Sequence, residues 1–135
     1  MVTEKLVLPD LTGAIIGAAM EVASGLGGGF LEKVYERALV VELTERGIAF
    51  AQQARFPVHF KGRLVGEYVA DLVVGGAVVV ELKCVDRICP QHVAQCLNYL
   101  KASGLTVGMI LNFQRTRLEW KRLVGGGSDG SAPSG

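Results

Sequence analysis

A surplus of positive charge is missing from this sequence: its 135 residues carry 14 Lys and Arg against 13 Asp and Glu, a formal net charge of +1. Binding a polyanion by bulk electrostatics normally goes with a larger basic excess, so any such partner must be met by a local patch. Cysteine is scarce and odd in number, with Cys84, Cys89 and Cys96 alone. Met1 to Asp10 lacks the apolar core of an export signal. The thiols are therefore expected to be reduced and the chain cytoplasmic. Long hydrophobic runs are also absent. The longest apolar stretch, Leu11 to Leu26, is interrupted by Glu21 and by glycines and falls short of the roughly 20 residues of a membrane span, so no membrane association is expected. What the sequence does have is 50% hydrophobic and 20% charged residues. That is enough for one packed domain and excludes general disorder.

Leu11, Ile15, Ala18, Val22 and Leu26 recur at steps of four and three. This predicts a helix over 11–24 with that stripe toward a core and Asp10 as its N-cap. Glycines at 25 and 27–29 break it. A second helix is expected from about Phe30 to Arg46, with Leu31, Val34, Ala38, Val41 and Leu43 as buried candidates and Gly47 as its stop. The period then changes to two. Phe56–Phe60, Arg63–Val74 and Ala77–Lys83 read as strands joined by turns at Lys61-Gly62 and Gly75-Gly76. Pro90 opens a third helix ending near Ser103, and Thr106–Phe113 and Arg117–Val124 read as two further strands. The order α-α-β-β-β-α-β-β predicts an α/β (α+β) domain over 1–124 with a small central sheet. The Gly/Ser-rich tail 125–135 is expected to be flexible and without function.

Asp71 interrupts an apolar strand, and Glu81 and Lys83 share one face of the next, because side chains alternate along a strand. Two acids and a lysine in adjacent apolar strands are costly to bury unless they pair or hold a cation. An internal ion pair of Lys83 with Glu81 or Asp71, or an edge hairpin with one wet face, is the simpler account. Loop length discriminates. A two-residue loop at Gly75-Gly76 puts Asp71 opposite Val80 and turns Glu81 away, whereas a three-residue loop or a bulge pairs Val74 with Val78 and Asp71 with Glu81. On the third helix, Gln95 and Tyr99 at i, i+4 point together and away from Val93, Cys96, Leu97 and Leu100, as an ordinary amphipathic helix would also have it. Glu32 and Tyr35 are one turn apart at the start of the second helix, where an acid also simply complements the helix dipole.

Together, Gly29-Phe30-Leu31-Glu32-Lys33-Val34-Tyr35 (Gly-x-x-Glu-x-x-Tyr), Asp71, Glu81-Leu82-Lys83 and Gln95-Cys96-Leu97-Asn98-Tyr99 follow one another on these elements. The set resembles the GxxExxY family of the PD-(D/E)XK nuclease superfamily, from about Leu11 to Phe113. Ala70 stands where the superfamily's name has proline. The resemblance implies a restriction-endonuclease-like αβββαβ core, a small mixed sheet flanked by helices. It also implies a nuclease that hydrolyses phosphodiester bonds of DNA or RNA with Mg²⁺ or Mn²⁺. By the same resemblance Asp71, Glu81 and the Leu82 carbonyl are metal ligands, and Glu32 helps complete the site or binds a ligating water. Lys83 holds or helps deprotonate the attacking water, and Gln95 and Tyr99 orient the substrate phosphate or the metal-bound water. The residue types suit that chemistry: magnesium takes oxygen ligands, the phosphorus centre needs charge stabilisation, and a lysine pKa falls on desolvation.

Arg115, Arg117, Lys121 and Arg122 surround Trp120, the best local patch for a nucleic-acid backbone with a stacking aromatic. An edge strand protected by charge explains them equally. Cys89-x-x-His92-x-x-x-Cys96 has soft metal-ligand types but no obvious fourth ligand. These cysteines are expected to be metal-free, with Cys96 in the core beside Leu97 and Leu100. The glycine run is no phosphate loop, since no Gly-Lys-Ser/Thr follows and it joins two helices. Small size and near-neutral charge keep a second function open, that of a non-catalytic binding or assembly module. In either case a second copy or a partner subunit, docked on apolar residues of the first helix, is expected to supply the missing surface.

Overall fold

The computed structural model describes residues 8–114 and 117–125. Met1, Arg115 and the tail 126–135 lie outside the described residues. Helices α1 (Leu8–Leu26), α2 (Glu32–Glu45) and α3 (Pro90–Ser103) accompany strands β1 (Phe50–Phe60), β2 (Arg63–Val74), β3 (Val78–Lys83), β4 (Val107–Asn112) and β5 (Glu119–Val124). This is the predicted order and an α+β fold. The strands form one sheet in the order β1-β2-β3-β4-β5. Only β3 and β4 run parallel among these pairs. A parallel pair needs a long crossover, and α3 supplies it.

The helices bury one face of the sheet deeply. Ile15 and Ala18 of α1 and Leu39 and Leu43 of α2 pack on Leu72, Val74, Val78, Val80, Met109 and Leu111. On the opposite face, Tyr99 and Leu100 of α3 cover Ala70, Val73 and Val79. There α3 lies almost on the backbone of β4: a Cβ built on Gly108 would stand 2.8 Å from Cys96 Sγ.

Three expectations about the helices change. Asp10 lies inside the first turn of α1, where its charge suits the helix N-terminus, and is not the cap. Leu26, at the other end of α1, is exposed. The buried side of α2 is Tyr35, Glu36, Leu39 and Leu43, while Leu31, Val34 and Val41 face solvent. The rotation of α2 is set by Tyr35. Its hydroxyl donates to the Gly27 carbonyl at 2.6 Å and accepts from the Phe30 N–H at 3.3 Å. Its ring stacks on Phe113, with centroids 4.8 Å apart.

Val74 lies opposite Val78, so the β2–β3 loop is Gly75, Gly76 and Ala77. Both glycines have left-handed backbones, φ +62 and +67, which glycine adopts without a steric cost. Of the two register alternatives, this is the one that brings Asp71 to Glu81.

Candidate active site

Strands β2 and β3 pair from Val74/Val78 to Leu72/Val80. Beyond that point carboxylates stand in for the backbone pairing. The Asp71 N–H donates to Glu81 Oε2 at 3.2 Å, and the Leu82 N–H donates to Asp71 Oδ2 at 2.8 Å. The two acids therefore converge where the strands part. Glu81 is 5% exposed. Burial, then the neighbouring Asp71 charge, pushes its pKa up to about 8. Burial also raises Asp71, against the Leu82 N–H that favours its charge, and the charges of Glu36 and Glu32 raise it further. Such a pair holds more negative charge than its surroundings accept without a cation.

Lys83 does not form the internal ion pair. Its ammonium donates instead to Gln95 Oε1 at 3.2 Å, which joins β3 to α3. Tyr99 does not point away from the apolar side of α3 as the helical spacing predicts. It is 8% exposed and meets Tyr68 edge-on, with centroids 5.1 Å apart. Burial first, then the charges of Glu81 and Asp71, pushes its hydroxyl up to about 12, so it remains a proton donor. Glu32 sits exposed in the first turn of α2, near enough for its charge to raise both Asp71 and Cys84.

Sequence reasoning missed Glu36. This acid is 3% exposed. One of its oxygens accepts from Lys33 Nζ at 3.0 Å, the other from Gln52 Nε2 at 3.0 Å and Gln53 Nε2 at 3.1 Å. Burial opposes its charge, but these donors outweigh burial and lower its pKa. Consecutive strand residues normally face opposite sides. Gln52 and Gln53 reach the same oxygen because Gln53 has φ +52, a left-handed backbone costing a non-glycine residue about 1 kcal/mol or more. Gln53 is also skipped in the β1–β2 pairing, between Gln52–Leu72 and Ala54–Ala70, which places it alongside Asp71. The one available signal was a second acid a turn after Glu32, and helical spacing alone gives it no special weight.

The remaining candidates separate. The Cys89 N–H donates to His92 Nδ1 at 2.9 Å, so that spacing caps the start of α3. Cys96 is buried against Gly108, with Leu100 beside it, while Leu97 reaches solvent. Trp120 and Arg122 lie opposite Leu111 and Met109, and Lys121 lies opposite Ile110. Alternation thus puts Trp120 and Arg122 on the α1/α2 side of the sheet and Lys121 on the other. Arg117 is exposed ahead of the strand.

Among the described residues no group of three His, Cys, Asp or Glu side chains is close enough to hold a metal by itself. Asp71 and Glu81 nevertheless fit a hard divalent cation. They are two desolvated, mutually repelling oxygen donors, and magnesium is commonly held by one or two carboxylates with backbone and water oxygens completing its shell. Also among the described residues, no helix is long and apolar enough to cross a membrane.

The model of the PD-(D/E)XK nuclease superfamily matches residues 9–123. No curated protein matches the chain. The crystal structure of SSO0001 superposes with a TM-score of 0.57 at 14% identity, over 72% of this chain and 51% of that one. The chain therefore spans about half the length of that structure. An alkaline exonuclease (LHK-Exo) from Laribacter hongkongensis gives a TM-score of 0.48 at 12% identity, over 80% of this chain and 76% of that one. Its complex with dAMP gives 0.49 at 12% identity, over 88% and 83%. Identities this low speak to fold alone.

Proposed function

The chain belongs to the PD-(D/E)XK nuclease superfamily, and from that premise we propose that it is a divalent-metal-dependent nuclease of the GxxExxY type, cleaving phosphodiester bonds of DNA or RNA. The observation that carries the reading is the convergence of Asp71 and Glu81 across the parted ends of β2 and β3, with both pKa values raised. In this reading their carboxylates and the Leu82 carbonyl hold Mg²⁺ or Mn²⁺, with Glu32 beside them. The cation would stabilise charge on the phosphate and acidify the attacking water. Lys83, steadied by Gln95, holds that water in line and donates a hydrogen bond as charge develops at phosphorus. Tyr99, protonated at any working pH, donates to a phosphate oxygen. Arg117, Lys121, Arg122 and Trp120, together with Arg115, remain candidate contacts to the nucleic-acid backbone. The proposed setting is the cytoplasm, and a second copy or partner subunit extends the substrate surface of the single domain 1–124.

Calorimetric titration of magnesium and of manganese into the wild type and Asp71→Ala tests the metal site. A panel of single- and double-stranded DNA and RNA, with and without EDTA, tests cleavage. Binding and cleavage should both vanish in Asp71→Ala. Cleavage that persists in that variant or in EDTA would overturn the assignment. Metal binding without cleavage of any substrate would make the domain a binding module.

A further inference from the structure

We propose that the cleft between the β1–β2 hairpin and α3 is a subsite for one nucleotide of a single-stranded nucleic acid. This rests on the nuclease reading and names its substrate class. The cleft, about 280 Å³ in volume, is bounded by Pro57, Val58 and His59 of β1, Tyr68 of β2, and Asn98 and Lys101 of α3.

Three consecutive strand residues do not line one cleft in regular β structure, where neighbours face opposite sides. Here the register shifts between Val58 and His59: Val58 lies opposite Gly66 and His59 opposite Leu64. A bulge of this kind re-aims side chains and is common beside functional sites. All three residues border the cleft beside this bulge.

The lining has the groups a nucleotide needs. The Tyr68 ring offers flat apolar surface for a base, and stacking on an aromatic is tolerant of base identity. The Asn98 amide can both donate to and accept from a base edge. Lys101 and His59 supply N–H donors for a phosphate, and among the described residues no acid lines the cleft. At about 280 Å³ the cleft is near the lower end of small-molecule sites, a size for a single nucleotide unit and not for a duplex. Position supplies the final argument. Tyr68, in the cleft wall, meets Tyr99 edge-on at 5.1 Å, and Asn98 adjoins Tyr99 in the chain. A strand whose phosphate lies at Tyr99 has its next base at Tyr68.

The test is fluorescence anisotropy of a labelled oligonucleotide, single-stranded and duplex, in EDTA so that binding is read without cleavage. Free AMP and dAMP serve as competitors. The single strand should bind more tightly than the duplex. Tyr68→Leu should weaken single-strand binding about tenfold, the loss expected for one stacking contact. Lys101→Ala, which alters an exposed side chain, should weaken it while lowering the salt slope by about 0.7. Duplex binding should move little in either. Unchanged single-strand affinity in Lys101→Ala, a preference for duplex, or competition by a free mononucleotide at the oligonucleotide's own affinity would each overturn the subsite. Cleavage with unaltered binding in Lys101→Ala fails the subsite alone. Lys101-dependent binding with no cleavage of any substrate in magnesium or manganese fails the nuclease reading alone.

Discussion

The two faces of the sheet use the same strands to opposite ends. Beneath α1 and α2 the surface is dry and continuous, with Leu72, Val74, Val78, Val80, Met109 and Leu111 meeting Ile15, Leu39 and Leu43. Beneath α3 the buried apolar cluster shrinks to Ala70, Val73, Val79, Tyr99 and Leu100, and Glu81, Lys83 and Gln95 lie at its margin. Alternation makes the division possible, since every second residue of a strand is free of its neighbour's task. Cohesion concentrated on one face lets the other hold desolvated acids. The largest test of this division is Lys83→Ala, which should lower turnover by about 10²–10⁴-fold, the usual worth of one acid–base group. Metal affinity by calorimetry and the thermal midpoint should stay as in the wild type. A variant that unfolds would mean the α3 face carries stability after all.

The converse substitution is Leu39→Ala, on the α1/α2 face. Its side chain is fully buried, so denaturant unfolding should show a loss of about 2–5 kcal/mol. Turnover per folded molecule should hold, and a fall in parallel with stability would erase the distinction between the faces.

A smaller effect should appear with pH in the metal-free protein. Burial and Asp71 raise the folded-state pKa of Glu81 from 4.5 to about 8, so the folded state binds the proton more tightly than the unfolded one. Its folding penalty is absent below the unfolded value and grows as pH rises through this window. The thermal midpoint should therefore fall between about pH 4.5 and 8, and Glu81→Gln should flatten that slope. A wild-type midpoint that rises over the same window, with Glu81→Gln leaving the slope unchanged, would overturn the raised value of Glu81.

Much of this architecture was legible from hydrophobic period alone. The element order followed from the switch between periods of 3.6 and 2. Asp71 meets Glu81 because Ala77 joins Gly75 and Gly76 in the loop, a choice of register that hydrophobic period left open. What could not be read depends on contacts distant in the chain. The rotation of α2 is fixed by Tyr35 binding the Gly27 carbonyl and stacking on Phe113, so the apolar stripe chosen from spacing was wrong at Leu31, Val34 and Val41. Glu36 looks like any helix acid until Gln52 and Gln53 arrive from β1. Asn112 reads as a strand end. It is fully buried, and its amide joins the Val85 backbone and Glu119 at 2.8–3.0 Å, fastening the chain after β3.

The smallest expected effect concerns Gln53. Gln53→Gly removes the left-handed strain, worth about 1 kcal/mol, and also one hydrogen bond of similar net worth, so stability should move by less than about 1 kcal/mol. Gln53→Ala loses the bond and keeps the strain. The difference between the two variants in denaturant unfolding isolates the backbone term, and equal midpoints would show that position 53 is unstrained.

Gly108 has a mechanical consequence. With Cys96 Sγ only 2.8 Å from where a Cβ would stand, α3 rides on the sheet without clearance. A methyl group there would act as a shim, lifting the helix while β3 stayed in place. Gln95 and Tyr99 would rise with it, and the Lys83–Gln95 bond, already 3.2 Å long, sits at the far limit of good geometry with no slack to follow. One hydrogen atom on β4 thus sets the height at which α3 presents its polar groups to the acids of β2 and β3.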